Sequence, residues 1–136
     1  MLLRTLRTIN LLIIFFASFN IPVSGQTPII DSLNNILKSH TTRDTARVNI
    51  LNKIAYAYYP GNAESVNKYA TESGNIAKEL GYSKGEAESL WLQGISYIKK
   101  DPEKALPLFE NALKIVEQTG DKQGTGKYTN AIGTVF

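Results

Sequence analysis

Three places in this chain carry residue types able to do chemistry, and the surroundings of each argue against it. His40 is the only histidine. As a general base it needs a nucleophile and an orienting group, and the sequence suggests neither, so it reads as a surface residue at a helix end. Gly124-Thr125-Gly126-Lys127 has the outline of a phosphate loop. Such a loop requires a glycine five residues before the Gly-Lys pair and a hydroxyl residue after it. Asp121 and Tyr128 stand at those places, and no strand precedes them. Glu86 and Glu88 form a close carboxylate pair, but at a helix start, where negative charge complements the helix dipole. With one histidine and no cysteine, a zinc site and a disulfide framework are both excluded. The expectation is therefore no catalytic residue, no cofactor and no metal.

What the residues do share is a spacing. Ala55, Gly94 and Gly133 recur every 39 positions, and three residues after each come Tyr58, Tyr97 and Phe136. Val66 and Ala105, Ile76 and Ile115, Gly81 and Gly120, and Gly85 and Gly124 keep the same offset. A repeat of this length marks stacked units that bury their apolar faces only against neighbours. Catalysis from a single closed core is not what such a pattern predicts.

The first 25 residues read as a secretory signal peptide. Arg4 and Arg7 precede a short apolar run, Leu11 to Ala17, and Val23-Ser24-Gly25 offers small residues for cleavage. A spanning helix needs about 20 apolar residues, and Asn20 and Pro22 interrupt this one. The location implied is periplasmic or otherwise extracytoplasmic. The chain carries 15 basic and 12 acidic residues, with a pI near 9.1. Arg4 and Arg7 leave with the signal and no acid does, so 13 basic groups face 12 acidic ones in the remainder. That balance gives no basic stripe for nucleic acid.

The helical elements follow from periodicity and punctuation. Ile30, Leu33, Ile36 and Leu37 put one apolar face on a helix over Pro28–His40. Asp44 caps a second helix that Pro60-Gly61 ends. Asn62 caps a third, stopped by Gly81. A helix from about Lys84 to Ile98 is followed by Asp101-Pro102, a cap with proline at the first helical position, and a helix that stops at Gly120. Tyr128, Ile132, Gly133 and Phe136 then restate the first-helix pattern. Phe136 would normally be sandwiched between helices, and leaving it wet forfeits roughly 1.5–3 kcal/mol. The chain is therefore read as part of a longer protein, with self-association through its last helix as the other outlet.

Leu90, Gly94 and Tyr97, followed by Ala105, Phe109 and Ala112, resemble the tetratricopeptide repeat (TPR) family. The resemblance covers residues 43–136. It implies an all-α solenoid of antiparallel helix pairs: an N-terminal capping helix in 26–42, repeats at 43–81 and 82–120, and the first helix of an incomplete third at 121–136. The chain departs from the family in its 39-residue period, where 34 is commoner, and in Gln93, which stands where neighbouring units place Ile54 and Ile132. Ala70 and Ser73 also replace the aromatic and the alanine of the second helix. Repeats of this kind directly after a signal peptide are similar to the extracytoplasmic input regions of membrane sensor histidine kinases and related regulators. That resemblance implies an alternative reading of the chain as their N-terminal sensory fragment, any membrane attachment lying in a missing C-terminal region.

In TPR stacks the first helix of each unit lines a concave groove. Counting from the small packing residue, the groove positions are Asn49, Asn52, Lys53 and Tyr56 in the first unit. The second supplies Glu88, Trp91, Leu92 and Ile95, and the third Lys127, Asn130, Ala131 and Thr134. Each set follows i, i+3, i+4, i+7 and so forms one stripe. Its mixture of amides, charges and large apolar groups suits a protein or peptide laid along it, with Trp91 as anchor or as packing between first helices. Lys53, Asn49, Asn130 and Lys127 partly resemble the groove of TPR proteins that clamp a C-terminal carboxylate, but Glu88 among them has the wrong sign.

Overall fold

Short polar residues decide where the helices begin. The computed structural model describes residues 27–136, which form six α-helices and, among the described residues, no strand. They are α1 (Thr27–Ser39), α2 (Thr45–Tyr58), α3 (Ala63–Glu79), α4 (Ser83–Tyr97), α5 (Pro102–Thr119) and α6 (Lys122–Gly133). The expected signal segment, residues 1–25, lies outside the described residues. Asp44 accepts from the Arg47 amide at 2.9 Å, Asn62 from Ser65 at 2.9 Å and Asp101 from Lys104 at 3.2 Å. Asp121 accepts from Gln123 and Gly124 at 3.1 and 3.0 Å. Each carboxylate or amide satisfies donors that the first helical turn leaves free. Of α2 to α6, only α4 starts without a side-chain cap, behind Tyr82.

Gly81 and Gly120 end α3 and α5 in the left-handed region, at φ +63° and +71°. The following residues then donate back into the last turn, Tyr82 to Ala77 O at 2.8 Å and Asp121 to Val116 O at 2.9 Å. This return bond is what the left-handed residue makes possible, and it reverses the chain within two residues.

Consecutive helices pack on one another, and α2 also reaches α4 across the turn of α3. The buried residues form four clusters strung along the chain. Val48, Leu51, Ile76 and Ala77 make the first, and Ala55, Val66, Ala70 and Leu92 the second. Ala87, Ala112, Val116 and Tyr128 make the third, and Ala105, Phe109 and Ala131 the fourth. Gly94 belongs to the last joint: a β-carbon there would lie 2.6 Å from Cδ1 of the fully buried Phe109 ring, so only glycine admits this approach of α4 to α5. Gly133, its counterpart on α6, faces open space.

One expectation about a single residue changes, and another gains detail. Ile36 is 46% exposed rather than on the buried face of α1, whose contacts run through Ile30 and Leu37. His40 lies at the end of α1, partly exposed, and is held there by polar contacts. Its Nε2 lies 2.8 Å from Asp44 Oδ1, and its carbonyl accepts from Arg47 at 2.9 Å, while Arg47 also pairs with Glu72 at 2.9 Å. The Arg47 amide, and then His40, hold the Asp44 carboxyl below its ordinary value. This brace joins α1, α2 and α3. Among the described residues, no helix is long and apolar enough to cross a membrane.

Candidate functional site

Helices α2, α4 and α6 present one side to a common open cavity of about 1180 Å³, which Ile29 and Leu33 of α1 also line. Asn49, Asn52, Lys53 and Tyr56 line it from α2, Glu88 and Trp91 from α4, and Lys127 from α6. These are seven of the residues that helical spacing assigned to the groove.

The rest of that stripe lies elsewhere. Leu92 is wholly buried with Ala55, Val66 and Ala70, and Ala131 is buried with Ala105 and Phe109. Ile95 is half-buried against both of those clusters and does not reach the cavity. Asn130 and Thr134 are exposed but outside its lining, and the Thr134 hydroxyl donates to Ala131 O at 2.6 Å. The i+4 positions in α4 and α6 turn inward because a second neighbour covers them, Leu92 facing the α2–α3 hairpin and Ala131 facing α5, whereas Lys53 at the same place in α2 stays exposed at the cavity. A stripe counted by spacing alone is wider than the wall it predicts.

Residues nearer the helix starts also line the cavity: Tyr82, Lys84 and Gly85 at α4, and Asp121, Gln123, Gly124 and Tyr128 at α6. Spacing from the packing residue did not reach them. The signal available was the register itself, since Gly85 and Gly124 share a position and Tyr82 and Asp121 share another. Tyr59, 39% exposed at the end of α2, adds a further aromatic face.

Two kinds of contact order the cavity wall. Between α2 and α4, Asn52 is buried; its Nδ2 donates to Gly85 O at 3.2 Å and its Oδ1 accepts from the Ser89 hydroxyl at 3.0 Å. Asn52 thus shows the cavity only an edge, its polar atoms already engaged. Beside it, Tyr82 donates to Asn49 Oδ1 at 3.2 Å.

Between α4 and α6 the wall is aromatic. Trp91 stacks with Tyr56 of α2, ring centroids 6.1 Å apart and 24° between planes. Lys127 Nζ sits 3.6 Å from the Trp91 ring centroid and donates to both oxygens of Glu88, at 2.9 and 2.7 Å. The phenol of Tyr128 donates to the same carboxylate at 3.2 Å. Burial, and then the Glu88 charge, push the Tyr128 phenol above its ordinary 10.0, so it stays a donor. Trp91 also packs against three of the four core clusters. Anchoring a ligand and packing the core are therefore both open to it.

No three histidine, cysteine or acidic side chains gather as metal ligands among the described residues. Lys53 and Lys84 line the cavity with no ion pair among the described residues. Compared with known proteins, the chain matches no family model, no curated protein and no solved structure.

Proposed function

We propose that this chain is an exported TPR-like interaction module, a solenoid of antiparallel helix pairs that receives a protein or peptide segment in its groove and performs no catalysis of its own. The observation that carries this reading is the aromatic wall. Tyr56, Tyr59, Tyr82, Trp91 and Tyr128 all face one open cavity of about 1180 Å³. Tyrosine and tryptophan concentrate binding energy because they bury large areas at little conformational cost. The asparagines and charges between them supply hydrogen-bonding groups suited to a peptide backbone. The solenoid reading is supported by core clusters that follow the chain and by matched glycines at Gly85 and Gly124.

Trp91 is the single tryptophan, so its fluorescence reports on the groove without a label. A random peptide library panned on the full chain is expected to yield peptides that change Trp91 emission and bind more weakly to Tyr56→Ala. Tyr56 is the variant of choice because it is 57% exposed and its loss leaves the core intact. Failure to select any peptide, or selection of peptides indifferent to Tyr56, would end this reading.

A further inference from the structure

We propose that Glu88, Trp91 and Tyr128 form a site for a cationic side chain, lysine or arginine, of the bound segment, and that Lys127 fills this site when no ligand is present. The inference rests on the groove reading above and names one chemical feature of its ligand. The three groups enclose an ammonium already: Lys127 Nζ lies 3.6 Å from the Trp91 centroid, 5.5 Å from the Tyr128 centroid and 2.7 Å from Glu88 Oε2. An aromatic face, a second ring and a carboxylate are the elements that hold a cation in an aromatic cage. Tyr128 fixes the carboxylate from behind through its hydroxyl.

Lys127 is suited to leave. It is 36% exposed, comes from a different helix than Glu88 and Trp91, and reaches them on a long flexible stem. An ion pair with that much solvent contact adds little net stability, so exchanging one ammonium for another costs little. The backbones of α4 and α6 do not approach as those of α2 and α4 do, which leaves a wedge for the incoming group.

Two further charges oppose a cation, since Lys53 and Lys84 also border the cavity. Both are exposed and screened by salt within about 10 Å. Glu88 is two-thirds covered, its side chain 33% exposed between aromatic walls, where a charge acts through a lower dielectric. The nearer, less solvated carboxylate dominates at this point of the groove.

Peptides selected by the panning described above test it on the full chain. The expected outcome is a shared Lys or Arg whose replacement by Met weakens binding about tenfold. Glu88→Gln should lower affinity for the basic peptide by a similar factor and leave the Met version unchanged. The amide keeps an acceptor for Tyr128, so this variant preserves the fold. Lys127→Met, which keeps the stem over Trp91 but removes the competing charge, should tighten the basic peptide several-fold. Peptides that need Tyr56 but lack a basic residue, or that ignore Glu88→Gln and Lys127→Met, overturn the cation site and leave the groove standing. Absence of any Tyr56-dependent peptide overturns both.

Discussion

The groove has two joints built on the same register and filled differently. At the α2–α4 joint the paired positions hold Asn52 and Ser89; one repeat later, at the α4–α6 joint, they hold Trp91 and Tyr128. The small polar pair closes: Asn52 bonds Ser89 and Gly85 O, and the two backbones come together. The aromatic pair cannot close to that distance, so the helices stand apart and Glu88 bridges them to Lys127 and Tyr128. One joint spends its side chains on helix contact. The other keeps ring faces and a charge pair at the cavity. The charged groups of the second joint keep partial exposure, Lys127 at 36% and Glu88 at 33%, whereas Asn52 and Ser89 of the first are buried.

The largest expected effect is at the aromatic joint. Trp91→Ala should lower unfolding stability by about 3 kcal/mol, the low end for a tryptophan truncation because the side chain is only half-buried. It touches three core clusters, so a loss below about 1 kcal/mol in urea unfolding would show that those contacts carry little. Asn52→Ala at the polar joint should cost less, about 1–2 kcal/mol. Gly85 O keeps the Ser89 hydroxyl at 2.8 Å after the substitution, so no buried acceptor is orphaned. If Asn52→Ala proved the more damaging in the same urea titration, the buried Asn52–Ser89 contact would carry more of the fold than the Trp91 packing does.

Much of this was legible in the sequence where local chemistry decides. Asp44, Asn62 and Asp101-Pro102 cap their helices, and Gly81 and Gly120 end theirs, because a cap depends on a few neighbouring atoms. The start of α4 was placed within a residue although Tyr82 provides no cap; the turn after Gly81 does that work. The inward turn of Leu92 and Ala131 was not legible, because spacing fixes an angle on a helix but not which second neighbour covers it. Gln93, out of pattern among apolar counterparts, sits half-buried near Ala70 O at 3.5 Å. The cation over Trp91 joins residues 36 apart through side-chain conformation alone, which no periodicity encodes. The brace of His40, Asp44, Arg47 and Glu72 escaped for the same reason.

The smallest expected effect separates the joints by pH. Asn52 and Ser89 carry no titratable group, but Tyr128 is buried and donates to Glu88, and both conditions raise its pKa above 10.0. A phenol whose folded pKa exceeds its unfolded one contributes stability that is fully present below pH 10. That contribution is lost as pH rises further, because the unfolded chain ionises first. The loss from this group cannot exceed about 1.4 kcal/mol per pH unit. Comparing unfolding free energies of the wild type and Tyr128→Phe across this window isolates it from the other tyrosines. The wild type should fall more steeply, and Glu88→Gln, with its carboxylate charge removed, should fall between the two. Parallel curves would mean that the phenol meets water or a different acceptor in the folded chain, and the Glu88 bridge at the aromatic joint would lose its third member.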